Sequence, residues 1–152
     1  MLTNTLQNLF SRDLNKLKHE LELYQHEENI WLTHHQISNC AGNLALHLIG
    51  NLNAYIGGVL GHSGYVRNRP EEFSRKNVPR QQLIREIEDV AVIINNVLPA
   101  LTMTQLEDDY PEEVSVGKVS TSYFLIHLAT HLNYHLGQIN YHRRLLDLSV
   151  KS

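Results

Sequence analysis

Cysteine is almost missing from this chain: Cys40 is the only one among 152 residues. No disulfide can form within the chain, and a reducing compartment, the cytoplasm, is the expectation. Long apolar runs are missing as well, so no segment is expected to span a membrane. The opening residues, MLTNTLQNLFSRDLNK, lack the charged n-region and compact apolar h-region of a signal peptide. There is no basic excess: the formal net charge is −3 and the pI is about 6.3. That balance argues against general nucleic-acid binding, whose affinity rests on many Lys and Arg phosphate contacts. No P-loop, dinucleotide glycine pattern, internal repeat or alternating strand pattern occurs.

What is there is a helical pattern. Hydrophobic residues make up 42% of the chain, and its length fits a single domain, 1–152. Leu2, Leu6, Leu9, Phe10, Leu14, Leu17, Leu21 and Tyr24 recur at three- and four-residue steps and predict a first helix over 2–27. A second is predicted over 39–60, with Ser38 or Asn39 as its cap; its glycines suit close approach of a neighbouring helix. Residues 61–78 read as a long polar loop. A third helix is predicted over 80–102, then an acidic connector over 103–118, and a last helix over 120–147 capped by Ser120. Long connectors between four helices suggest an all-α, four-helix bundle unlike a tight up-down one.

Ten histidines are the unusual feature. In HLATHLNYHLGQINYH, His127, His131 and His135 are spaced four apart. Four residues of α-helix advance about 400°, so the three lie on one face, one turn above another. An i, i+4 pair can grip one metal ion, whereas an i, i+8 pair is about 12 Å apart along the axis. His127 and His135 are therefore not expected to share an ion. A third protein ligand must come from elsewhere, and His47 of the second helix is the candidate. Asn43, His47 and Asn51 form a polar stripe on that otherwise apolar helix. Imidazole ligands suit Zn, Ni, Cu or Fe. The second and last helices contain no Glu, against the di-iron pattern, and Leu132 follows His131 where a zincin has Glu.

Around the ligands, Asn51, His127 and Gln138 are expected to orient the imidazoles, with Asn43 and Tyr134 as further candidates. Arg67 and Arg69 are candidates for binding an anionic substrate, against ion pairs to Glu71 and Glu72. Arg143 and Arg144 suit the negative end of the last helix. His19, His26, His34, His35 and His62 read as surface residues, His142 as an interior or rim histidine, and Cys40 as a buried, inert thiol.

Three segments carry a resemblance: GNLALHLIGNLNAYIGG at 42–58, GYVRNRPEEFSRK at 64–76 and HLATHLNYHLGQINYHRRLL at 127–146. With them the chain resembles the DinB superfamily of four-helix metal-binding proteins, in particular a branch of small bacterial proteins of unknown function. The resemblance implies that His47, His131 and His135 bind a divalent ion (Zn, Ni or Fe) in an open cleft near one end of the bundle. It also implies a homodimer. Characterised relatives include thiol-dependent S-transferases, which use bacillithiol or mycothiol, and a maleylpyruvate isomerase. The expected activity is that of a thiol-dependent S-transferase acting on a small-molecule substrate with a low-molecular-weight thiol. A metal-dependent hydrolase and a non-catalytic, metal-stabilised dimer are the alternatives.

Overall fold

The computed structural model describes residues 1–148 and is all-helical, with no β-strand among them. Four long helices carry it: α1 (Leu2–Leu23), α2 (Ala41–Leu52), α4 (Arg80–Val97) and α6 (Thr121–Leu146). Two short ones, α3 (Arg69–Ser74) and α5 (Met103–Glu107), sit on the connectors. Each apolar stripe read from the sequence faces inward. Leu6, Phe10, Leu14, Leu17 and Leu21 of α1 meet Leu83, Ile87, Val90 and Ile94 of α4 and Phe124, Leu125, Leu128, Leu132 and Ile139 of α6 in one core. No helix among the described residues is long and apolar enough to cross a membrane.

Side-chain pairs fix the helix directions. Asp13 meets Asn133 and Glu20 meets Asn140, so α1 and α6 run parallel. Lys18 meets Glu88 while Arg80 reaches the Leu21 and Tyr24 carbonyls, so α4 runs against α1. His47 meets His131 and Tyr55 meets Phe124, so α2 runs against α6. Both α1 and α2 lie against α4 and α6. The order is up, down, down, up, and α2 and α4 are parallel neighbours. Parallel neighbours cannot be joined by a tight turn, which accounts for the long connector between them.

The predicted boundaries shift where local chemistry intervenes. α1 stops at Leu23, not at 27, because Tyr24 adopts ψ 123° and a 3₁₀ turn follows at Glu27–Trp31. The cap residue of α2 is Cys40, not Ser38 or Asn39. α2 passes into a π-helical segment, Asn53–Leu60, where an ideal Cβ at Gly61 would stand 2.6 Å from Val97 Cγ2. Of the glycines within the predicted helix, Gly57 is the one that lies close to α4: an ideal Cβ there would stand 3.2 Å from Ile93 Cγ2. The polar loop at 61–78 contains α3, capped by Asn68 and started by Pro70. The connector at 103–118 contains α5, whose start is capped by a Thr102–Gln105 capping box. Ser120 does cap α6, accepting from the Tyr123 amide.

Asp147 ties the end of α6 to the segment after α1. It accepts from the Gln25 amide at 2.6 Å, the His26 amide at 3.3 Å and Asn29 Nδ2 at 3.0 Å. Burial pushes its carboxyl up, but the hydrogen bonds outweigh that and hold it below the ordinary range. Its contribution is thus present above the ordinary carboxylate pKa and is lost as pH falls through the lowered, folded-state value. Asp147→Asn is expected to cost roughly 1 kcal/mol at neutral pH, since this partly exposed group is well screened. The difference from wild type in urea unfolding should close in acid.

Candidate metal centre

His47 stands in the middle of α2 on the side that faces α6, buried at 6% exposure. His131 and His135 project one turn apart from α6 and are half-buried. One ligand atom from each residue falls within 4.8 Å of the others. His131 Nε2 lies 3.2 Å from His47 Nε2 and 3.1 Å from His135 Nε2.

The far sides of two rings decide where their protons sit. His47 Nδ1 lies 3.0 Å from Glu72 Oε1, and a carboxylate can only accept; Arg67 Nη2, a donor, stands farther off at 3.4 Å and donates to the same Oε1 at 2.9 Å, so the carboxylate decides the tautomer. His135 Nδ1 lies 2.7 Å from Gln138 Oε1, which also accepts. Both rings therefore carry the proton on Nδ1 and turn an Nε2 lone pair toward His131. A proton on His131 Nε2 can serve one of those lone pairs at a time, whereas a cation serves all three nitrogens. His131 Nδ1 is buried with no hydrogen-bond partner among the described residues. Its ring is held by packing, 6.4 Å from the His127 ring, which stacks in turn on Phe124 at 5.8 Å.

Burial, then the charges of His135, His47 and His127, pushes the His131 imidazole down to about 4. Burial also lowers His135, against the opposing hydrogen bond to Gln138. At neutral pH both are deprotonated, which is the state a ligand nitrogen needs. The donor set fits a divalent ion of the borderline type, and His47, His131 and His135 are the residues that would hold it.

The other candidates divide. Gln138 orients His135. His127 contributes its ring to the stack and stands outside the converging group. Asn51 is buried with Oδ1 unpartnered among the described residues; both His47 nitrogens face other groups, Glu72 and His131. Asn43 spends its amide on the Glu72 and Arg75 carbonyls. Tyr134 is exposed, with its ring edge toward His135. Arg67 pairs with Glu72 through two 2.9 Å contacts, and Arg69 lies over the Phe73 ring at 5.2 Å. Neither arginine is a bare anion site: one is committed to a carboxylate and the other to an aromatic face. His34, His35, His19 and His62 are exposed and His26 half-buried, none in the converging group. His142 is interior, and Cys40 is buried with Sγ 2.9 Å from Asn43 Oδ1. Arg143 pairs with Glu20 at 2.7 Å, and Arg144 lies over the Tyr141 ring at 5.2 Å.

Glu72 is the residue that sequence reading missed. It lies on α3, where six helical residues give no usable period. Its trace in the sequence is Gly50, three residues after His47 on an otherwise apolar helix. An ideal Cβ there would stand 1.9 Å from Glu72 Oε2, so a side chain at this position would displace the carboxylate from where it lies. Gly50→Ala is expected to lower stability by about 1–3 kcal/mol through overpacking. Gly137→Ala on α6, where nothing lies within 4 Å, should raise it by about 0.5–1 kcal/mol. Thermal unfolding of the two variants checks the opposite signs.

Over residues 4–149 the sequence matches a family model described as a protein of unknown function, DUF1572. A search of curated proteins finds no match.

Proposed function

The chain belongs to the DUF1572 family, and from its own histidine site we propose that it is a divalent-metal-binding protein of the DinB type and a metal-dependent enzyme, most specifically a thiol-dependent S-transferase. The observation that carries the metal reading is the convergence of His47, His131 and His135 within 4.8 Å, with two of the rings turned by acceptors on their far sides. Structural metal sites close their coordination with a fourth protein ligand, whereas three histidines leave room for an exogenous one. A divalent ion held there lowers the pKa of a thiol or water that binds it.

The chain's own groups supply the rest. Glu72 and Gln138 hold the rings of His47 and His135 in the ligand tautomer. The exposed Tyr134 and Gln138 and the half-buried His127 border the triad on α6, where a thiol and its electrophilic partner would meet. The transferase reading over a hydrolase rests on the resemblance of 42–58, 64–76 and 127–146 to the DinB superfamily, and a cytoplasmic homodimer belongs to the same proposal.

Metal analysis of purified protein, followed by thermal shift with cysteine and with bacillithiol in the presence and absence of EDTA, tests both layers. Near one metal per chain and a saturable, EDTA-sensitive thiol shift are expected. Metal without any thiol effect at millimolar concentration would sink the transferase, and absence of metal would sink the site.

A further inference from the structure

The group that meets His47 on its far side does not come from the bundle. It comes from the connector between α2 and α4. We propose that Glu72 is the positioning residue for His47, and that residues 67–76 form an outer half of the metal site whose docking on α2 and the binding of a divalent ion support each other. The inference rests on the metal reading above.

An imidazole binds a cation through one nitrogen only when its proton sits on the other. The Glu72 carboxylate, 3.0 Å from Nδ1, holds that proton on the far side. A carboxylate is costly to bury, and Glu72 is 6% exposed. A six-residue surface helix has no need of one. The surroundings are nevertheless shaped to keep it. Arg67 grips both of its oxygens at 2.9 Å. Gly50 leaves the space in which Oε2 lies. Asn43 Nδ2 donates to the carbonyls of Glu72 and Arg75 at 2.9 and 2.8 Å, pinning the backbone on either side of Phe73 and Ser74. Lys76 Nζ donates to Asn43 Oδ1 from the far end of the segment. The Phe73 ring lies 5.0 Å from the His47 ring and covers it. Asn43, His47 and Gly50 thus form a row on α2, and each meets this segment.

The coupling follows from the shared proton. A cation on Nε2 withdraws electron density and makes Nδ1–H a stronger donor, so Glu72 is held more tightly when the ion is bound. Linkage is reciprocal, so docking of the segment tightens the ion by the same factor.

The test uses the full chain and zinc as the probe. Zinc affinity is read by competition with a chelator, and amide exchange of residues 67–76 is followed with and without zinc. Glu72→Gln keeps the size of the side chain and removes its charge; it is expected to weaken zinc by about 10–100-fold. Gly50→Ala keeps the carboxylate and displaces it, and is expected to weaken zinc in the same direction. Zinc should slow exchange across 67–76 in the wild type and not in Glu72→Gln. In metal-free protein, nitrogen NMR should place the His47 proton on Nδ1 in the wild type and find a mixture of the Nδ1–H and Nε2–H tautomers in Glu72→Gln, which a purely structural ion pair would not change. Both variants within twofold of wild-type affinity, with the exchange response intact, would overturn the positioning role and leave the metal site standing. A wild type that binds no zinc would overturn the metal reading itself, and this inference with it.

Discussion

His131→Ala is expected to take the metal content after dialysis from about one ion per chain to almost none, because a two-ligand remnant does not hold a divalent ion against buffer. Its Nε2 is the atom that neighbours both of the others, at 3.2 and 3.1 Å, so its loss leaves one nitrogen on α2 and one on α6 with nothing between them. His47→Ala and His135→Ala should follow it. His127→Ala should not, because His127 contributes a stacked ring 6.4 Å away and lies outside the converging group. A second readout shows that the variant is folded and that the site is the cause. The folded protein holds the His131 imidazole at about 4, below its ordinary 6.5, chiefly through burial. Below pH 6.5 the unfolded chain takes up a proton that the folded chain refuses, so metal-free wild type should lose stability as pH falls from 6.5 toward 4. The Ala variant has no such group and should lose less over that window. Denaturant midpoints of metal-free protein at pH 7 and pH 5 read the difference.

The parts of this site that the sequence made legible are those with a period. On α6, four-residue spacing put His127, His131 and His135 on one face, and Ser120 marked the start. The polar stripe on α2 picked out His47. What the spacing could not supply is the third dimension: that α2 runs against α6, so that His47 comes level with His131 and His135 while its neighbour Leu44 faces the level of Gln138 and His142. The length of the connectors hinted at this, since the parallel pair α2 and α4 needs a long return. Glu72 stayed hidden for a different reason. It reaches His47 across a connector whose conformation is set by an Asn68 cap, Pro70 and tertiary contacts to Asn43, none of which repeats. The same holds for Asn51, whose one-turn spacing from His47 suggested a contact that the Glu72 carboxylate takes instead. Arg67 shows the limit of charge reading. An arginine in a polar loop reads equally as an anion site or an ion pair, and only the fold reveals which carboxylate it meets.

His142→Ala is expected to be among the most destabilising single changes away from the histidine triad, at about 3–5 kcal/mol for a large buried ring removed together with two hydrogen bonds. His142 is 3% exposed. Its Nε2–H donates to the Leu32 carbonyl at 2.8 Å, since a carbonyl can only accept. Its Nδ1 therefore carries the lone pair and accepts from the Tyr24 hydroxyl at 2.7 Å. One ring thus joins the end of α6 to the residue where α1 stops and to the turn that follows it. Tyr24→Phe removes only the hydroxyl and leaves Nδ1 buried without a donor, so it should cost less, about 1–3 kcal/mol. Burial lowers the His142 pKa, and the hydrogen bond to Leu32 only partly opposes it. Protonating Nδ1 would also face the Tyr24 hydroxyl with a second donor. The sign therefore matches that of His131: stability is full above the ordinary imidazole pKa and falls as pH drops below it, because the unfolded chain binds the proton first. The two contributions can be separated by metal. Zinc on the folded chain excludes protons from the triad while the unfolded chain still takes them up, so the acid limb owed to the triad should steepen in the metal-loaded protein, while the part owed to His142, two turns further along α6, should be the same with and without zinc and disappear in His142→Ala.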